Sequence, residues 1–151
     1  MPLWDLEQAW EQRWCPMVNG LLFPDGSVVP VVAWPAAGGA PTLGARVRIS
    51  DLAGQGPLRW TTLGPIARAV SPDRARIAAV GDGGQDADGF VALLGGPQKG
   101  LVWLAFLDDS GPFEAVRFEG EEVVARAAGG REWRFPADAP ERLVVTAPAV
   151  R

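Results

Sequence analysis

Carboxylates are the main groups in this 151-residue chain that could do chemistry, and they fall in three clusters. Asp82, Asp86 and Asp88 sit on the Gly-rich stretch Asp82-Gly83-Gly84-Gln85-Asp86-Ala87-Asp88-Gly89. Oxygen ligands on such a loop could take a hard cation. Gly84 and Gln85 interrupt the acid spacing of an EF-hand, so the stretch reads first as a solvated hairpin loop and second as a recognition loop. Asp108 and Asp109 open the turn Asp108-Asp109-Ser110-Gly111-Pro112, with Glu114 just beyond. Paired carboxylates at a strand end act as acid and base in glycosidases, yet adjacent acids are also ordinary turn residues. Glu119, Glu121 and Glu122 read as a solvated hairpin tip, or as an acidic patch that speeds association with a basic partner.

The residues that are missing narrow the chemistry further. The chain has no His and no Tyr, and Cys15 is its only Cys. Triads, Cys–His dyads, HExxH zinc helices, intrachain disulfides and CxxC motifs are therefore ruled out. No Ser lies in a GxSxG elbow, and neither a P-loop nor GxGxxG occurs. These absences favour a binding protein, with no catalytic residue, metal or cofactor expected. A hydrolase built on Asp82, Asp86, Asp108 or Glu114 is the alternative, and it requires those acids to converge in one cleft.

A net charge of −4 argues against direct nucleic-acid binding. No apolar run approaches the ~20 residues of a spanning helix, and the acidic start Met1-Pro2-Leu3-Trp4-Asp5-Leu6-Glu7 does not resemble a secretory signal. A cytoplasmic protein is expected, and a lone Cys suits a reducing compartment.

Seven Trp are available for core or contact. Trp10 and Trp14 on a helical stripe, Trp103 in an apolar run and Trp133 alternating with Phe135 read as core. Trp34 and Trp60 lie beside turns, and Trp4 at the margin of its helix; exposed Trp residues anchor interfaces or stack on sugars. A small-ligand or carbohydrate-binding module is thus a further alternative.

The elements that must position these groups are mostly strands. Leu3, Leu6, Trp10 and Trp14 recur at helical spacing, with Met17 next, and predict one amphipathic helix over 2–15 that ends at Pro16. From Asn19-Gly20 onward the period shortens. Strands are expected over 21–23 and 27–34 around Pro24-Asp25-Gly26, with Pro30 making the second an edge or bulged strand. Further strands follow over 45–50, 65–70, 74–80, 90–94, 101–107, 114–118, 123–127, 132–135 and 143–146, with 101–107 the most buried. This pattern predicts a mainly β, single-domain antiparallel sandwich or barrel-like sheet, spanning about 21–146 of one 1–151 domain. The turns at 24–26, 71–73 and 119–122 recur near propeller-blade spacing. Three units cannot close a propeller, so repeated turn chemistry is the simpler reading.

The C-terminal half carries Asp88-Gly89-Phe90-Val91-Ala92-Leu93, Leu101-Val102-Trp103-Leu104-Ala105-Phe106 and Asp109-Ser110-Gly111-Pro112-Phe113-Glu114. It continues with Val123-Val124-Ala125, the turn Ala128-Gly129-Gly130, Glu132-Trp133-Arg134-Phe135-Pro136 and Pro140-Glu141-Arg142. Over residues 88–143 this resembles the small β-rich bacterial immunity proteins of polymorphic toxin systems. The resemblance implies a cytoplasmic inhibitor that binds one cognate toxin domain. A basic toxin would be drawn to the acids at 82–88, 108–114 and 119–122, with Trp34 and Trp60 as anchors.

Overall fold

Asp5 accepts a hydrogen bond from the Gln8 backbone N–H at 3.2 Å and so caps helix α1, Leu6–Glu11. The computed structural model describes residues 5–147 other than Ala36, Gln55, Pro57 and Asp86. The predicted helix over 2–15 is therefore shorter at its C-terminal end, while residues 1–4, including Trp4, lie outside the described residues. The cause is at Arg13, whose φ of +64° reverses the chain after Gln12. Its carbonyl accepts from the Leu63 N–H at 2.7 Å, and Trp14–Pro16 becomes strand β1 instead of a further helical turn. Leu6 and Trp10 are the buried pair on the helix.

The remaining elements run in chain order as β2 (Gly20–Leu22), β3 (Ser27–Ala33), β4 (Thr42–Leu43), β5 (Val47–Arg48), the short helix α2 (Ile49–Ala53) and β6 (Trp60–Thr62). There follow β7 (Gly64–Val70), β8 (Arg76–Asp82), β9 (Gly89–Gly95), β10 (Gly100–Leu107), β11 (Phe113–Glu119), β12 (Glu122–Ala127), β13 (Glu132–Pro136), a 3-10 turn at Pro140–Arg142 and β14 (Val144–Thr146). Strands β1, β4 and β6 are additions to the sequence reading. The strand expected over 45–50 stops at Arg48. Its partner β3 begins at Ser27, opposite Arg48, so Ile49 has no strand left to pair with and enters α2. Pro30 sits inside β3, where the outer neighbour changes from β5 to β4, a gap that tolerates a missing N–H.

The strands build an antiparallel sandwich. One sheet of eight strands runs β4-β3-β2-β10-β9-β8-β7 with β5 beside β3, and a second runs β11-β12-β13-β14. β1 and β6 pair as a separate ribbon. Leu21, Val91, Leu93, Trp103 and Ala105 of the large sheet share one core with Phe113, Val123, Trp133 and Phe135 of the small one. The opposite face of the large sheet is also covered. There Leu22, Phe90, Leu104 and Phe106 pack with Leu6, Trp10, Cys15, Ile49 and Leu63. Burial on both faces explains why β9 and β10 read as nearly unbroken apolar runs. Neither sheet closes as a barrel.

The recurrence of turns is one of local chemistry. Asp25 accepts from the Ser27 N–H and hydroxyl, and Asp73 accepts from the Ser71 hydroxyl and the Ala75 N–H. Both carboxyls are held below the ordinary range, first by those side-chain hydrogen bonds.

Candidate functional site

Two of the three acidic clusters meet at one end of the sandwich. The Gly111 N–H donates to the Ala87 carbonyl at 2.8 Å, tying the turn after β10 to the loop between β8 and β9. Inside that loop the Asp88 N–H donates to Gln85 O and the Gly83 N–H to Asp88 O, each at 3.0 Å. Asp82 closes its own turn by accepting from the Gly84 N–H at 3.0 Å. Asn19, just before β2, supports the neighbouring turn, accepting from the Asp108 N–H at 3.1 Å while donating to Val31 O. Asp108, Asp109 and Glu114 are exposed at this end. Asp86 lies outside the described residues.

Asp88 differs from its neighbours. It is only 5% exposed, and its Oδ2 has no hydrogen-bond partner. Gly83 makes room for it, since a Cβ there would lie 2.6 Å from the Asp88 Cβ and 2.9 Å from the Phe106 ring. Burial pushes the Asp88 carboxyl above its ordinary range, and the negative charges of Asp108 and Asp109 add to the rise. A raised carboxyl binds more protons folded than unfolded, so its ionisation removes stability as pH climbs from the ordinary carboxylate range through the raised value. Asp88→Asn should therefore be more stable than the parent at pH 7, by about 1 kcal/mol, the scale of one unsatisfied buried polar group. The gap should close as the pH falls below the ordinary carboxylate range. Urea unfolding of both proteins across pH checks this, and an Asn variant less stable at pH 7 would contradict it.

The third cluster has a different role. Arg117 bonds Glu119 and reaches Glu132 at 2.8 Å, while Arg134 contacts Glu119 at 2.9 Å and Glu122 at 3.3 Å. The register Arg117↔Val124↔Arg134 sets both guanidinium side chains on either side of Val124, which is fully buried on the sandwich's outer face. Glu119 and Glu122 are thus matched within the sheet, and their charge is largely answered before any partner arrives. The Arg134 and Arg117 hydrogen bonds hold the Glu119 carboxyl low, and the Arg117 bonds do the same for Glu132. Glu121 instead lines a cleft of about 230 Å3 between its own hairpin and the Ser71–Asp73 turn.

The Trp residues divide differently from the sequence reading. Trp103 and Trp133 are buried in the sandwich core, as expected. Trp34 is half-buried, edge-on to Trp133 with ring centroids 5.2 Å apart and Arg131 stacked over it. Trp14, expected on a buried helical stripe, is 47% exposed, and Trp60 is 41% exposed. In the ribbon, Trp14 lies opposite Thr62 and Trp60 opposite Pro16, which makes the two Trp diagonal neighbours on the outward face. Cys15 and Thr61 face inward. Burial pushes the Cys15 thiol far above its ordinary range, which leaves it inert. Thr61 donates to Gly83 O at 2.9 Å, so the ribbon is fastened directly to the acidic loop.

Together these contacts define a β-sandwich with one end that joins exposed aromatic rings to unmatched carboxylates. Asp82, Asp108, Asp109 and Glu114 form no ion pair among the described residues. Nor are three His, Cys, Asp or Glu grouped among those residues so as to hold a metal ion. No family model and no curated protein matches this chain.

Proposed function

We propose that the chain is a non-catalytic binding protein of the immunity type, which captures a basic toxin domain in the cytoplasm. One observation carries this reading: the acids at 82 and 108–114, which form no ion pair among the described residues, lie on loops tied by the Gly111–Ala87 and Thr61–Gly83 hydrogen bonds to a ribbon with two exposed Trp. Unpaired acids give the end a negative potential that steers a cationic partner, and Trp is favoured as an interface anchor. Glu119 and Glu122 contribute little, because Arg117 and Arg134 already neutralise them.

The test is co-expression with the toxin domain encoded beside this gene, followed by co-purification and stopped-flow association. Reversing two exposed acids together, Asp108→Lys with Asp109→Lys, should slow association about ten-fold at low salt, and the effect should shrink as salt rises. A gene with no toxin neighbour, or two proteins that fail to co-purify, would overturn the reading.

Asp88 favours a second reading, a carboxylate-based hydrolase. Burial and the charges of Asp108 and Asp109 raise the Asp88 carboxyl, the direction in which a general acid is tuned. Turnover of chromogenic glycosides that vanishes in Asp88→Asn would support it over the binding role.

A further inference from the structure

Among the described residues, the layer that covers the large sheet stops short of its last two strands. Leu6 and Trp10 of α1 pack over β9 and β10, with the Trp10 and Phe90 rings edge-on at 5.8 Å. Beyond Trp10 the same face continues onto β8 and β7, where the register sets Arg68 opposite Ala79 and Val70 opposite Ile77. Here apolar side chains stay open to solvent, with Ile66 53% and Val70 49% exposed. Ile66 sits at a bulge between Pro65 and Ala67, a device that re-aims a side chain near a binding surface.

A cleft of about 350 Å3 opens at this place, lined by Trp10, Arg13, Ile66, Arg68, Ile77 and Leu94 among others. Its volume falls at the small end of ligand pockets, suited to one small molecule. Among the described residues the charged groups on its wall are both cationic, Arg13 and Arg68, and no acid lines it. Arg13 is held in place: its guanidinium lies 4.8 Å above the Trp10 ring and donates to Trp10 O at 3.1 Å. Arg68 is exposed and forms no ion pair among the described residues. An apolar floor with two guanidinium groups, on a protein of net charge −4, is complementary to an apolar molecule bearing one negative group.

We propose that this cleft binds a small aromatic or acyl carboxylate. The apolar body lies on Ile66, Ile77 and Leu94, and the carboxylate faces Arg13 and Arg68. The site does not use the acidic loops, so it stands or falls apart from the toxin-binding reading.

Calorimetric titration with 2-naphthoate, alongside neutral 2-naphthalenemethanol of the same ring size, tests the proposal. Saturable one-to-one binding of the carboxylate is expected, about ten-fold tighter than the neutral compound. Arg68→Glu should weaken 2-naphthoate about ten-fold and leave the alcohol unchanged, whereas Ile66→Asp should weaken both. Both substitutions fall at exposed positions, and circular dichroism confirms that each variant folds. Equal affinity for acid and alcohol, no saturation at about 5 mM, or indifference to Arg68→Glu would each overturn it.

Discussion

Trp103→Ala is expected to be the most destabilising single change outside the glycines, costing about 3–5 kcal/mol in urea unfolding followed by circular dichroism. Typical domains have only about 5–15 kcal/mol in total, so the variant should be largely unfolded or nearly so at 37 °C. The indole is buried in the sandwich core beside Phe135, with ring centroids 5.2 Å apart. Its Nε1–H also donates to Ala137 O at 2.9 Å, a bond from the large sheet to the segment that follows β13. A milder comparison isolates that bond. Trp103→Phe leaves the Ala137 carbonyl without its donor, whereas Trp133→Phe removes an Nε1–H that has no partner. Trp103→Phe should therefore cost about 1–2 kcal/mol more than Trp133→Phe. If Trp133→Phe proved the more costly, the assignment of the cross-sheet bond would be wrong.

Trp14→Ala should have the largest effect on partner binding while leaving the fold intact. About half of the Trp14 surface is open, so truncation should cost only about 1–2 kcal/mol of stability, within what a folded domain tolerates. An anchoring Trp at the centre of an interface is worth about 2 kcal/mol or more, which is about 30-fold in Kd. Because the ring acts after encounter, the loss should appear mainly in the dissociation rate. The charge reversal at Asp108 and Asp109 should act mainly on association. That split separates anchoring from steering, and surface plasmon resonance at two salt concentrations measures both.

Much of the sandwich was legible from residue order because each sheet buries a face and turn residues separate the strands. The β7–β8 hairpin and the run from β11 to β14 follow the period-two pattern, and the doubly buried β10 stands out as an unbroken apolar run. The N-terminal helix shows where that reasoning fails. Leu6, Trp10 and Trp14 keep helical spacing, but the left-handed backbone at Arg13 turns Trp14 into a ribbon, and a short strand with a distant partner leaves no local signal. Residues 45–50 alternate as a strand should, yet strand length is set by the partner, which begins at Ser27.

The acids show the same division at the candidate site. Sequence marks all of them as polar loop or tip residues. Only the register reveals that Glu119 and Glu122 face Arg117 and Arg134, and only packing shows that Asp88 is enclosed. The exposure of Trp14 had one signal in the sequence, Pro16 two residues later, which limits the helix without specifying a strand.

The proposed function makes the joined aromatic and acidic end a protein-binding surface. Calorimetry between this chain and the basic toxin domain that the proposed function places beside its gene tests that most directly. A one-to-one complex with submicromolar Kd is expected, weakened by salt and weakened about 30-fold by Trp14→Ala. No heat of binding at about 10 μM, or a complex of equal affinity with Trp14→Ala, would contradict it.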